Sequence, residues 1–312
     1  MKIAFFWTWD FSKNILQTLL SEASIEVALV VSQPDKTIGR KKILTPTAVK
    51  VLAEEKNIPV LQPVSLKNNI DFFDTLHKYD LDFIVVVAYG KIVPNEVLEA
   101  PKHGCINIHG SILPLYRWAS PIQEAVKNGD SKTGLTIMYM SEGMDEWDIL
   151  KIHEVDILRD ETSQDIFNKF EKIWTEILVT TLKWVLSGEI QWQKQDENKA
   201  TYCSKIDKQD GQIDFQQTAQ SIYNKHKAYK KWPWVFTQYN NKKFSIDECD
   251  FINCEILEEW IFEIWDVVEY SHHWNDSIWI ACSSWILILK EIRSRRNIRY
   301  QQRIILQLAV LS

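Results

Sequence analysis

"KIAFFWTWDFSKNILQTLLSEASIEVALVVS", residues 2–32, decides the fold class of this 312-residue chain. "KIAFF" is an apolar, strand-like run, and "DFSKNILQTLL" has the spacing of an amphipathic helix. "IEVALVVS" is a second strand, so the stretch reads as strand, helix, strand. The alternation continues outward. "PVLQP", "LDFIVVVAY" and "GCINIH" are further strand candidates, with helical patterns at "TAVKVLAEEK" and "NNIDFFDTLHKYD". Repeated βαβ units predict an α/β domain built on a mostly parallel sheet with helices on both faces. "TGLTIMYM" and "DILKIHEVDI" add a pair of strands, and a long helix follows from Thr162 to a stop at Gly188.

Composition sets bounds on this reading. With 46% hydrophobic and 25% charged residues the chain is of ordinary globular type, long enough for two domains. No apolar run approaches the roughly 18 residues of a membrane span, and no basic, cleavable leader opens the chain, so a cytoplasmic protein is expected. Five cysteines without a CxxC pair read as reduced thiols rather than disulfides or a zinc site, so no metal is expected. The net charge of −6 argues against simple coating of nucleic acid. Residues 200–312 are nevertheless neutral, 14 basic against 14 acidic, with basic clusters at 225–231 and 290–303.

The organisation follows from a change of pattern. Residues 1–188 read as one α/β domain, and 189–203 as a polar linker without helical period. Residues 204–312 read as one helix followed by short β-rich runs, the pattern of a small barrel.

The chemistry concentrates in "GCINIHGSILPLYRWASPIQEAVKNGDSKTGLTIMYMSEGMDEWDIL", residues 104–150. Alternation along "CINIH" puts Asn107 and His109 on one face at the carboxyl end of a strand, the edge where open α/β sheets bind ligands. The imidazole suits general acid–base work and the amide suits a developing oxyanion, while the Asp145 carboxylate could orient the imidazole. On spacing alone a structural Asn–His pair is the commoner outcome. No phosphate-cradling glycine loop is present, which disfavours a nucleotide-dependent oxidoreductase.

The wording of this segment resembles the folate-dependent formyltransferases, whose pattern is N-x-H, then S-L-L-P, then a downstream D-x-G-D. "QPDKTIGRKKILTPTAVKVLAEEKNIPVLQP", "VVVAYGKIVP", "TYCSKIDKQDGQIDF" and "KKWPWVFT" are similar to the methionyl-tRNA formyltransferases in particular, over roughly residues 1–292. The resemblance implies a Rossmann-like catalytic domain followed by an OB-like β-barrel domain that holds tRNA. It implies transfer of a formyl group from 10-formyltetrahydrofolate to the α-amino group of initiator methionyl-tRNA, by a monomer without a membrane. The family's catalytic trio falls on Asn107, His109 and Asp145. Its folate-binding residues fall on Ser111, Ile112, Leu113 and Pro114, with Val87, Ala88, Tyr89 and Gly90 lining the pterin pocket. Its tRNA-contacting loop falls on Arg40, Lys41 and Lys42. A glycinamide ribonucleotide or amino-sugar formyltransferase would share the trio but lack the "GRKK" loop and the C-terminal domain. An inactive RNA-binding relic is the remaining alternative.

Against that family pattern the tryptophans are out of place. Trp7, Trp118, Trp147 and Trp234 stand at glycine positions and Trp9 at a proline position; Trp174, Trp260, Trp265, Trp274, Trp279 and Trp285 stand at positions read as turns. Average usage of about 7% would give roughly 22 glycines, and the chain has 9 beside its 14 tryptophans. The expectation is that a codon rendered here as tryptophan specifies glycine in the source organism, which would put glycine at the first strand-to-helix turn.

Overall fold

Ile3, Phe5 and Trp7 point to one side of the first strand and Ala4 and Phe6 to the other, all fully buried, so this strand is apolar on both faces. That is the signature of a central parallel strand. The structure, a computed structural model, describes residues 1–7, 12–38, 42–87, 89–90, 92–239, 242–253, 267–268, 278–282 and 285–294. The expected sites at Trp9, Arg40, Lys41, Ala88, Trp260, Trp265 and Trp274 lie outside the described residues.

In chain order the elements begin β1 (Lys2–Trp7), α1 (Ser12–Ser21) and β2 (Glu26–Val31), then a small hairpin of β3 (Lys36–Ile38) and β4 (Ile43–Thr45). α2 (Ala48–Glu55), β5 (Val60–Leu61), α3 (Ile70–His77), β6 (Phe83–Val87), α4 (Asn95–Leu98) and β7 (Cys105–His109) follow. Next come β8 (Arg117–Trp118), α5 (Pro121–Asn128), β9 (Lys132–Tyr139), β10 (Ile149–Asp156) and α6 (Ser163–Ser187). The chain continues through β11 (Tyr202–Cys203), α7 (Ala219–Tyr229), β12 (Phe236–Tyr239) and β13 (Lys242–Asn253). β14 (Val267–Val268), β15 (Ile278–Ala281) and β16 (Trp285–Ser294) complete the described elements.

The chain divides into two units. The first comprises Met1–Trp118, Gly134–Val155 and Asn168–Tyr202. Its seven-stranded sheet has the order β10-β9-β7-β6-β1-β2-β5. β5, β2, β1, β6 and β7 run parallel, and β9 lies antiparallel to β7. The mostly parallel α/β sheet expected from the sequence is therefore present, with its parallel run closed by one reversed strand. Ala4, Phe6, Leu29, Val31, Ile84 and Val86 form one core layer with Phe72, Phe73 and Leu76 of α3. α6 stops at Gly188, whose φ of +71° is the left-handed turn that glycine adopts without penalty.

The second unit comprises Ala119–Thr133, Asp156–Phe167 and Cys203–Ser312, and contains a five-stranded sheet of order β12-β13-β16-β15-β14. The pairings within this sheet are antiparallel. The basic cluster 225–231 is not a plain solvated face. Lys227 and His226 are buried in α7, and the Lys227 ammonium donates to the Arg159 carbonyl at 2.6 Å.

The backbone bears on the tryptophans. Trp118 and Trp234 have φ of +87° and +63°, in the left-handed region that a bulky side chain disfavours. The turn expectation fails elsewhere. Trp174 lies inside α6 and Trp279 inside β15, and Trp285 opens β16. Trp174 is buried with its ring 6.3 Å from that of Trp7, and among the described residues its Nε1 has no hydrogen-bond partner. A buried indole N–H left unpaired costs about 1–3 kcal/mol.

Candidate active site

β6 and β7 are parallel neighbours, with Val86 opposite Asn107, so the segments after Val87 and after His109 leave the sheet at the same edge. Asn107 and His109 project from one face of β7, as the alternation predicts, and the loop after β9 brings Asp145 over them. Asn107 Nδ2 donates to Asp145 Oδ1 at 3.3 Å. His109 Nδ1 faces Asp145 Oδ2 at 3.5 Å, and both side chains are mostly buried. His109 Nε2 lies 2.8 Å from the Tyr116 carbonyl, which can only accept, so this nitrogen carries a proton. The second carboxylate oxygen of Asp145 also accepts the backbone N–H of Trp118 at 2.9 Å.

Three residues around the site sit on strained backbone. Tyr116, Trp118 and Asp145 have φ of +58°, +87° and +60°. Non-glycine residues in this region cost about 1–3 kcal/mol each and persist where the surroundings over-determine them.

The segment after His109 is fixed from below. Thr136 of β9, paired with His109, donates its hydroxyl to the Ser111 carbonyl at 2.6 Å and accepts the Leu113 N–H at 3.2 Å. Ser111 is fully buried and donates to the Leu115 carbonyl. Ile112 and Pro114 are half-buried, Leu113 is buried, and the Leu113–Pro114 peptide is cis. After β6, Val87 and Tyr89 are buried, and burial pushes the Tyr89 phenol up to about 12. Gly90 has φ of +71°, and the Tyr89 carbonyl accepts from Gln33 at 2.9 Å. The structure thus brings Asn107, His109 and Asp145 together, and carries 111–114 and 87–90 away from one sheet edge. Lys42 sits elsewhere in the unit, beside the β3–β4 hairpin, with φ of +47°.

Sequence reasoning missed a second tier of residues. The stretch 189–203 pairs back onto the catalytic unit. Ile149 and Gln193 form a bridge, and β11 pairs with β8. Tyr116 N donates to the Thr201 hydroxyl at 2.8 Å, and Arg117 N donates to the Thr201 carbonyl at 2.8 Å. The Arg117 side chain is fully buried against Glu197, 2.7 Å away. The Glu197 hydrogen bond holds the Arg117 guanidinium further into its charged range, and Arg117 in turn lowers the Glu197 carboxyl. No spacing signal could have found these contacts, because the partners are some 80 residues apart.

Among the described residues no helix is long and apolar enough to cross a membrane. Comparison with known proteins agrees with the geometry. The formyl transferase family profile matches residues 1–182, and the formyl transferase C-terminal domain profile matches residues 205–306. Methionyl-tRNA formyltransferase of Caldicellulosiruptor saccharolyticus is 45% identical over 258 residues, covering 83% of this chain and 82% of that protein. The methionyl-tRNA formyltransferase of Halalkalibacterium halodurans is 41% identical over 246 residues, 79% of this chain and 77% of that protein. Among solved structures, the sugar 3N-formyl transferase WlaRD, determined in the presence of dTDP and 5-N-formyl-THF, shares the fold. Its TM-score is 0.64 at 17% identity, covering 97% of this chain and 98% of that one. With an Asn–His–Asp cluster at the sheet edge and relatives of this identity over most of its length, the chain is a formyl-transferring enzyme and belongs to the methionyl-tRNA formyltransferase family.

Proposed function

We propose that the chain transfers the formyl group of 10-formyltetrahydrofolate to the α-amino group of initiator methionyl-tRNA. The observation that carries this reading is the convergence of Asn107, His109 and Asp145, in a chain similar over most of its length to enzymes named for that substrate. In the transfer the amine nitrogen bonds to the formyl carbon, the bond from that carbon to N10 of the folate breaks, the amine gives up a proton, and the departing N10 takes one up. The carbonyl oxygen gathers charge in between. The Asn107 amide and the protonated imidazole of His109 are donors suited to that oxygen; because Nε2 keeps its proton on the Tyr116 carbonyl, neutral His109 receives the amine proton at Nδ1, the nitrogen that faces Asp145. Asp145 holds Asn107 through one oxygen, and with the other it faces His109 Nδ1, which it holds once that nitrogen is protonated.

Ser111, Ile112, Leu113 and Pro114 would hold the folate, with Val87, Ala88, Tyr89 and Gly90 at the pterin. The buried apolar side chains of Val87 and Leu113 and the left-handed backbone of Gly90 suit a flat, hydrogen-bonding ring. Arg40, Lys41 and Lys42 would meet tRNA phosphates, and the antiparallel unit beyond Cys203 would hold the rest of the RNA. On this reading residues 1–188 are the catalytic domain and 204–312 the RNA-holding domain.

The test incubates the purified chain with 10-formyltetrahydrofolate and methionyl-tRNA, and separately with glycinamide ribonucleotide and a dTDP-amino sugar. Formylation of the tRNA alone is the expected result. Formylation of either small amine in preference to the tRNA would overturn the assignment.

A further inference from the structure

Asp145 meets the Asn107–His109 pair from a residue in left-handed conformation, and the side chain of Gln195 grips the loop that carries it. Its Nε2 donates to the Asp145 carbonyl at 2.8 Å and to the Trp147 carbonyl at 2.8 Å, so both amide hydrogens are used on the two sides of one loop. Its Oε1 accepts from Arg117 Nε at 3.1 Å and from Arg117 Nη2 at 2.9 Å. That fork fixes which end of the amide faces the loop, since only an oxygen can sit against two guanidinium N–H groups.

Arg117 is itself fully committed. Its remaining hydrogens go to Glu197 Oε1 at 2.7 Å, Glu197 Oε2 at 2.9 Å and the Tyr202 hydroxyl at 3.3 Å. All five guanidinium donors therefore have acceptors. Arg117 also directly precedes Trp118, whose N–H binds the Asp145 carboxylate.

We propose that Gln195 is a positioning residue for formyl transfer, oriented by the Arg117–Glu197 pair and acting through Asp145. The role rests on the reading of Asn107, His109 and Asp145 given above. The polar stretch 189–203 is then part of the active site, although none of its side chains need touch either substrate.

The experiment compares Gln195→Glu, Gln195→Met, Asp145→Asn and the double variant Asp145→Asn with Gln195→Glu, all in the full chain. A carboxylate at 195 keeps an acceptor for Arg117 but offers no N–H to the two loop carbonyls. Gln195 is only half-buried, so both substitutions are compatible with folding, and a thermal midpoint close to the parent's checks this for each. The expected result is a kcat lower by roughly 10–100-fold, the cost of a displacement on the order of 1 Å. KM for methionyl-tRNA and for the formyl-folate should stay within about twofold of the parent, because the missing interaction serves the transition state. The double variant should be no slower than Asp145→Asn alone, because Gln195 acts only through that carboxylate. A parental kcat in Gln195→Glu, or a double variant slowed by the product of the two single effects, overturns the proposal. A kcat loss that tracks a fallen midpoint in both Gln195 variants overturns it too. If Asp145→Asn alone transfers at the parental rate, the reading of the site fails and this role falls with it. If Asp145→Asn is slow while Gln195→Glu is normal, only the role of Gln195 fails.

Discussion

The backbone N–H of Trp118 donates to the Asp145 carboxylate at 2.9 Å, and it does so from a φ of +87°. The bond is made from a conformation that a residue with a Cβ resists. Trp118 holds a central position in the site with an unsuitable side chain, its indole half-exposed against the ring of Tyr202.

Replacing that side chain should therefore help. Trp118→Gly and Trp234→Gly, the two tryptophans described with positive φ, should each raise stability by about 1 kcal/mol as left-handed strain is released. Chemical denaturation of the two single variants measures this. If the source organism reads the codon as glycine, tryptic peptides spanning 118 and 234 from that organism will carry glycine. Tryptophan in those peptides, with no gain in stability from substitution, would sink the idea.

His109 should be indispensable to chemistry and dispensable to binding. His109→Ala is expected to lower formyl transfer by about 10²–10⁴, the usual worth of a positioned acid–base group. Folate affinity, measured by fluorescence or calorimetry, should be unchanged. Near-parental single-turnover transfer would contradict the assigned role.

The loop around Arg40 should act on RNA alone. Replacing Arg40, Lys41 and Lys42 together by alanine should weaken tRNA binding. The plot of log K against log salt should flatten by about 1 for each phosphate that is no longer neutralised. An equal drop in folate affinity would show instead that the loop shapes the pocket.

Acid should weaken the first unit through Asp82. The Lys2 backbone N–H donates to its carboxylate at 2.8 Å, and Lys102 lies 3.6 Å away, which together hold the carboxyl below its ordinary value. A lowered native value means that the unfolded chain binds the proton more readily. The stabilisation is thus complete above the ordinary carboxylate range near pH 4 and is lost as pH falls through the lower native value. Asp82→Asn should be less stable than the parent at pH 7 and should lose less stability between about pH 5 and pH 3. Parallel stability curves for the two proteins would count against this.

Local pattern makes much of this structure legible. The doubly apolar runs at 3–7 and 83–87 suit only central strands, and the alternation in "CINIH" places Asn107 and His109 on one face. Other features depend on distant pairings that no local pattern carries. The reversed direction of β9 is a matter of connection rather than composition. The grip of Gln195 on 145–147 joins two polar segments that separately read as loop and linker. The tryptophans mislead in a different way. The family resemblance makes Trp174 and Trp279 turn residues, yet helix and strand pass through them.

The large sheet also ends in a way that matters outside catalysis. Its outermost strand on one side, β5, is two residues long. An open edge that short offers too few unpaired amides to template another strand. The opposite edge, β10, carries Lys151, Glu154 and Asp156, and its first residue is already bridged by Gln193. Intermolecular β-stacking is therefore discouraged at both borders, because neither offers a second chain a long, uncharged and unpaired edge.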